Sequence, residues 1–360
     1  MRIHAAAPGK LVLCGEYAVL EGAPALVLAV DAQARVSLED ANDGASRIAA
    51  PDVGVKNAHF DCDSNGRVRW KGLGQAQQKR LNLVARIIEA FGSEQTPFHA
   101  TIDTGEFAFD GRKLGLGSSA ALAVALAGAL CARAQRESPK LEDLIALHRE
   151  WQGGGSGVDV AASCSGGLSI YRLLDGPPSI ERVQWPTELH GCCVWSGQIA
   201  DTGAQLHRLS DWCAQAPTAY AEHMHGLAQE AENAAAAIRK NDVAGVLHSI
   251  AAYANRLREF GNASGLNIFT EGHDALLAIA ERDGVVYKPC GAGGDIGIAL
   301  SADQQRLDEF RRSLKSAGFH EVALKPSDHG LQVRHERFQS AREAKDHAGR
   351  HAGRYVATTC

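Results

Sequence analysis

A chain of 360 residues with 37 Lys and Arg against 42 Asp and Glu carries a formal net charge of −5, which leaves no electrostatic footprint for nucleic acid. Hydrophobic residues at 45% and charged residues at 22% describe an ordinary folded protein and exclude intrinsic disorder. The length suits two domains with a cleft between them, or one large α/β unit.

The first strands fall at 11–13 and 24–31, on either side of a loop from Gly15 to Gly22. From Asp40 to Gly74 the pattern is weak and reads as strands and loops. Helical spacing of apolar residues over 79–91 predicts a helix that stops at Gly92. Residues 98–110 read as a strand and turn leading into a glycine loop at 115. Leu114 to Ala132 carries no charge, but Ala dominates it and its hydrophobicity is low for a membrane span, so a buried helix over Ala120–Gln135 is predicted. A helix over Leu141–Trp151 runs into Gly153–Gly157.

Asp175–Pro178 and Trp185–Pro186 mark a domain boundary. Beyond it come a strand at Cys192–Gly197, two or three long helices over 203–283, and a strand–loop–strand around Gly291–Gly294. A helix over 302–317 and strands at 319–325 and 330–335 would finish the second domain. The division expected is 1–185, 186–336 and a flexible tail from 337, in an α+β architecture. Nine irregularly spaced cysteines without a C-x-x-C pair, and a start (MRIHAAAPGK) without a secretory apolar stretch, lead to the expectation of a cytoplasmic protein with reduced thiols.

Gly115-Leu116-Gly117-Ser118-Ser119-Ala120 precedes an uncharged helix. It is either a phosphate cradle at a helix N-terminus or a Ser-capped core helix. It is no Walker loop, but it does satisfy G-x-G-x-x-A, which keeps a nicotinamide-dependent oxidoreductase as a rival. Asp159, after the Gly153–Gly157 run, either caps a helix or projects a carboxylate into a site. Cys290–Asp295 is either a tight turn or a close backbone approach to a ligand. Lys10, beside Pro8-Gly9, is either a surface charge or a clamp on a phosphate.

Taken together, these strings resemble the motifs of the GHMP kinase superfamily. Ala7-Pro8-Gly9-Lys10 with Gly15-Glu16-Tyr17-Ala18-Val19-Leu20 is similar to its first motif. Gly115 to Ala121 is similar to its second, the ATP-phosphate loop, and Lys288-Pro289-Cys290-Gly291-Ala292-Gly293-Gly294-Asp295 to its third. Within the superfamily the strings look most like those of phosphomevalonate kinases. Tyr17 stands where mevalonate kinases and galactokinases carry His. Gln152-Gly153 is followed by glycine where mevalonate kinases place a metal-binding Glu. Gly155-Ser156-Gly157-Val158-Asp159-Val160-Ala161 is similar to the phosphomevalonate kinase string, as are Trp195-Ser196-Gly197 with Ala200-Asp201-Thr202, and Gly330–Val333. The central loop and the third motif are each one residue shorter than the family pattern.

The resemblance implies a two-lobed fold, with a mixed α/β N-terminal lobe and a ferredoxin-like C-terminal lobe. It implies transfer of the γ-phosphoryl of ATP, with Mg2+, to a small-molecule substrate, phosphomevalonate, by a monomer or homodimer without nucleic-acid or membrane partners. Lys10 and Asp159 would be catalytic. Gly115, Leu116, Gly117, Ser118, Ser119 and Ala120 would hold ATP, with the Ser119 hydroxyl on Mg2+. Lys10, Glu16, Tyr17, Ser156, Gly157, Gly291, Ala292 and Gly293 would surround the acceptor.

A phosphate monoester is mostly dianionic at pH 7, so Asp159 is expected to orient Lys10 and the acceptor more than to remove a proton. Lys10, His148, Arg149 and Lys288 are the cationic candidates for that acceptor. Glu150 reads as an exposed helix carboxylate, and Cys290 predicts inhibition by thiol alkylation. A kinase for mevalonate or a sugar, and a catalytically silent regulator of the same fold, are the other rivals.

Overall fold

The structure, a computed structural model, describes residues 1–92, 96–198 and 202–336. The tail expected from 337, and Ala200-Asp201, lie outside these residues.

The first lobe is built on β1 (Arg2–Cys14) and β2 (Ala25–Asp40), which pair antiparallel with bulges at Pro8/Gly9 and Val12/Cys14. Both strands are much longer than expected. The signal was period two rather than a continuous apolar run, since Ala34, Val36 and Leu38 are buried and the residues between them are not. The weak stretch resolves into β3 (Ser46–Ala50), β4 (Val55–Cys62) and β5 (Val68–Lys71). The helix expected over 79–91 is two helices, α1 (Gln75–Arg80) and α2 (Asn82–Phe91), broken where the Leu81 side chain turns fully into the core. Next come β6 (Phe98–Asp103) and a small hairpin, β7 (Ala108–Phe109) and β8 (Arg112–Lys113). Then follow α3 (Ser118–Arg133), α4 (Leu141–Gln152), α5 (Val158–Ser165), β9 (Leu168–Arg172) and β10 (Ser179–Val183).

The sheet runs β10-β9-β2-β6-β3-β4-β5, with β1 also pairing β2. Its apolar face packs against α2, α3 and α5, and α4 packs on those helices. Apart from Leu122, every residue of α3 from Ala120 to Cys131 is buried, which is how a helix apolar on all sides behaves in a core. Among the described residues no helix is long and apolar enough to cross a membrane.

The second lobe contains β11 (His190–Trp195), α6 (Thr202–Gln215), α7 (Pro217–Arg239), α8 (Val243–Ser264), α9 (Glu271–Asp283), β12 (Val286–Pro289), β13 (Ile296–Ser301), α10 (Gln304–Ser316) and β14 (His320–Val322). Its sheet is antiparallel in the order β12-β13-β11-β14, the split βαβ arrangement of a ferredoxin-like lobe. Four helices lie between 202 and 283 where two or three were expected. Leu276, Ala280, Leu307, Phe310 and Leu314 of α9 and α10 pack on this sheet. In α7, Met224, Leu227, Ala231, Ala234 and Ile238 are buried at helical spacing, and in α8 so are Val246, Ile250, Tyr253, Leu257 and Phe260. These residues join Leu11, Leu13 and Leu26 of the first lobe in one continuous core.

The strand at 330–335 is present but does not finish the second domain. As β15 (Gln332–Glu336) it pairs antiparallel with β1, from Arg2↔Glu336 to Ala6↔Gln332. The chain reaches it by lying along the first lobe. Asp31 N–H donates to Lys325 C=O at 2.9 Å, Ser327 N–H to Ala29 C=O at 2.9 Å, and Gly167 N–H to Ser327 C=O at 2.7 Å. Leu331 then packs over Gly128 of α3, where a Cβ would stand 2.8 Å from Leu331 Cδ1. An apolar anchor and an open strand edge place this segment, rather than proximity in sequence.

Candidate active site

β1 carries Lys10 to the mouth of the interlobe cleft and ties it to the second glycine loop. The Lys10 backbone N–H donates to Leu116 C=O at 2.9 Å, and Nζ donates to Gly115 C=O at 3.2 Å. Gly115 (φ +68°) and Gly117 (φ +78°) both adopt the left-handed conformation. A Cβ at Gly117 would lie 3.3 Å from Lys10 Cγ and 3.5 Å from Asp159 Cβ. The missing side chain is the space in which the lysine and the aspartate come together.

Gly117 is also the N-cap of α3, and no side chain caps that helix. The Ser-capped reading therefore fails. The first-turn N–H groups are left for a ligand at the positive end of the helix dipole.

Ser118 and Ser119 line a cleft of about 270 Å3 together with Lys10, Asp159, Arg149 and Lys113. Ser119 Oγ lies 3.0 Å from Nε2 of His148, a largely buried residue that also lines the cleft and supports the hydroxyl. A hydroxyl oxygen held at an uncapped helix start suits a hard cation such as Mg2+ when phosphates supply the remaining ligands. Among the described residues no cluster of three or more His, Cys, Asp and Glu could hold a metal alone.

Asp159 sits half-buried in the first turn of α5, and its Oδ1 accepts the Val160 N–H at 2.9 Å. The expected orientation of Lys10 by Asp159 is not seen, because the ammonium is held by Gly115 C=O instead. Ser156 and Gly157 line the cleft, and Tyr171 OH fixes Ser156 C=O at 2.6 Å. Glu150 is exposed and pairs with Arg86 at 2.7 Å, as its reading as a surface carboxylate required. Arg149 is exposed at the cleft wall.

The third loop departs most from expectation. Lys288, a candidate for the acceptor, is fully buried and paired with Glu16. Burial is the largest influence and opposes its charge, but the attraction of Glu16, its hydrogen bond and the nearby thiols of Cys290 and Cys14 together outweigh it and leave the ammonium more basic than usual. Glu16 Oε1 also accepts the Gly291 N–H at 3.2 Å. Tyr17 (φ +62°) is buried and donates its OH to Ala292 C=O at 2.7 Å. Gly291 and Ala292 line the cleft, whereas Gly293 packs against the Ile268 backbone, where a Cβ would stand 2.4 Å from Ile268 Cα. Cys290 is buried, and burial pushes its thiol up to about 11. Alkylation of Cys290, expected from its place in the loop to inhibit the enzyme, is slowed by this burial.

Two residues of the site were missed. His273 of α9 is fully buried, with Nε2 2.8 Å from Gly294 C=O and Nδ1 2.7 Å from Tyr287 OH. A carbonyl only accepts, so Nε2 carries the proton and Nδ1 accepts from the tyrosine. A lone histidine on a helix gives no such signal in sequence. Asp295 packs against Gly115 across the cleft, and its carboxylate Oδ2 would stand 2.3 Å from a Cβ there. Its position directly after a glycine run was the available hint.

Residues 82–167, which hold α2 to α5, match the GHMP kinases N terminal domain. The chain is 30% identical to a phosphomevalonate kinase of Streptomyces sp. (strain CL190), over 90% of this chain and 97% of that one. It is 26% identical to a mevalonate kinase of Thermococcus sibiricus, over 92% and 98%. Among solved structures, Streptococcus pneumoniae phosphomevalonate kinase in complex with phosphomevalonate and AMPPNP superposes with a TM-score of 0.70 at 20% identity, over 90% of this chain and 99% of that one.

Proposed function

The chain belongs to the GHMP kinase family and is an ATP-dependent small-molecule kinase, and from that premise we propose that its acceptor is 5-phosphomevalonate, converted to 5-diphosphomevalonate with release of ADP. The observation that carries this reading is the pair of cations left without ion-pair partners in a cleft whose lining otherwise sets Lys113 among Glu16, Asp159 and Asp295. Lys10 and Arg149 both line it, and neither has an ion-pair partner among the described residues. Glu150, the nearby helix carboxylate, is spent on Arg86 at the surface. A dianionic acceptor is matched by such a cleft better than a neutral sugar is. The 30% identity to a phosphomevalonate kinase supports the same choice.

Phosphoryl transfer rests on positioning and charge neutralisation. The uncapped start of α3 receives the ATP phosphates, with the Gly115–Gly117 turn bringing backbone close to them. Lys10 neutralises charge between donor and acceptor. Ser119 would hold Mg2+ together with the ATP phosphates, and the ion would supply further neutralisation there. A phosphate acceptor is already dianionic at neutral pH, so Asp159 acts by shaping the acceptor position beside Lys10 and not by removing a proton.

The test is ADP release by purified protein with Mg-ATP and, in parallel, 5-phosphomevalonate, mevalonate, galactose or homoserine. Turnover with phosphomevalonate at least 100-fold above the others is the expected result. Preferential turnover with any other acceptor overturns the assignment while leaving the kinase family intact.

A further inference from the structure

Two consecutive residues of the first lobe hold two consecutive residues of the third glycine loop by hydrogen bonds of opposite polarity. Glu16 Oε1 accepts from Gly291 N–H at 3.2 Å, and Tyr17 OH donates to Ala292 C=O at 2.7 Å. We propose that Glu16 and Tyr17 are positioning residues, an interlobe clip that sets the third loop against Lys10, and that neither is a ligand of the acceptor.

Both residues lie in the cleft wall, and the argument is carried by the burial and commitment of their polar atoms. The Glu16 side chain is 2% exposed, and its second oxygen, Oε2, is buried without a hydrogen-bond partner, so a dissolved substrate does not reach it. Its first oxygen is committed to Lys288 and to Gly291. The phenol of Tyr17 has spent its one proton on Ala292. The Glu16 main chain is held in turn, because Tyr253 OH donates to its C=O. Lys288 Nζ bridges from Glu16 to Pro289 C=O, directly before the loop. Both anchors, Tyr253 of α8 and Lys288 of β12, belong to the second lobe, so Glu16 is held from that lobe at its main chain and at its carboxylate. The clip's output is the Gly291 position, where a Cβ would lie 3.5 Å from Lys10 Nζ. A carboxylate that binds from behind the loop controls where the loop meets the lysine.

The inference rests on the kinase activity but not on which acceptor is used. Tyr17→Phe removes one bond and introduces no buried charge, so it is the first variant. Its expected signature is a thermal midpoint within 2 °C of wild type and a kcat about tenfold lower, since a displacement of about 1 Å at a reacting group costs rates of this order or more. Acceptor Kd, measured with a non-hydrolysable ATP analogue, should change less than threefold.

Glu16 is tested in a Lys288→Met background, which avoids an unpaired buried ammonium. There Glu16→Gln keeps an acceptor for Gly291 N–H and Glu16→Leu does not, so kcat should be about tenfold higher for Gln than for Leu. Acceptor Kd raised more than tenfold in Tyr17→Phe with kcat unchanged would make Tyr17 a ligand and overturn the proposal. A wild-type kcat in Tyr17→Phe, or equal kcat in the two Glu16 variants, would also overturn it. Absence of turnover in the wild type would instead refute the kinase reading itself.

Discussion

Replacing Gly115 by Ala puts a side chain at a point of contact between the lobes. The new Cβ would lie 2.3 Å from Oδ2 and 2.7 Å from Cβ of Asp295, at a residue whose φ is +68°. Holding an L-residue in the left-handed region costs roughly 1–2 kcal/mol. Overpacking against an immobile neighbour adds about 1–3 kcal/mol. Asp295 is immobile in this sense, since its N–H donates to Gln198 C=O at 2.7 Å and its C=O accepts from Ser196 N–H at 2.8 Å.

A loss of about 2–5 kcal/mol lowers the midpoint of a two-state chain of this size by roughly 3–7 °C. Because Gly115 and Leu116 carbonyls both hold Lys10, the KM for ATP should rise on the order of tenfold as well. Differential scanning calorimetry and steady-state ADP release measure the two effects. The deciding comparison is a double-mutant cycle with Asp295→Gly, which removes the obstructing atoms from a residue itself at φ +42°. In that background Gly115→Ala should cost about 1–3 kcal/mol less. Strict additivity of the two changes would refute the close approach of the lobes at this point.

Lys10→Met should lower kcat by about 10²–10³-fold with ATP affinity less affected, read by single-turnover kinetics alongside equilibrium binding; an unchanged kcat would remove Lys10 from the chemistry. Burial holds His273 near a pKa of about 4, against 6.5 for a free imidazole. Between these values the unfolded chain binds a proton that the folded chain does not, so stability present above pH 6.5 is lost as pH falls towards 4. Urea titrations should show the stability advantage of wild type over His273→Gln shrinking by up to about 3 kcal/mol between pH 7 and pH 4. Among the described cysteines, exposed Cys62 should be carbamidomethylated first at pH 8. Cys290, with its thiol near 11, should react slowly at pH 8 as followed by peptide mass spectrometry; rapid loss of the Cys290 thiol would contradict its burial.

The site was more legible than the fold because its chemistry is written in short strings. Gly115, Gly117, Lys10 and Asp159 were named from local sequence, and the structure brings them together within a few ångströms. The glycines mark positive φ directly, and a lysine beside them has few other uses. Burial was the hidden variable. Lys288, Glu16 and Cys290 look like reactive groups in a string of letters, yet each is withdrawn behind the loop it seems to belong to. Whether a charge faces a ligand or another charge depends on Glu16 and Lys288 meeting across 272 residues, which no local pattern encodes. The same holds for β15, which the sequence shows as a strand. Its partner, β1, lies at the far end of the chain.

That pairing has a consequence for biosynthesis. The second lobe is an insertion between β10 and β15, so a ribosome releases β1 and β2 long before the strand that covers the edge of β1 exists. Ala6 and its partner Gln332 are separated by roughly 15–60 s of translation at ordinary elongation rates. Throughout that interval the first lobe offers unpaired N–H and C=O groups along the very strand that bears Lys10, a surface suited to chaperones and to mispairing. A nascent chain stalled after β14 would contain all three glycine loops and still lack the strand that covers β1. Completion of the first-lobe sheet falls to β15, the last strand among the described residues.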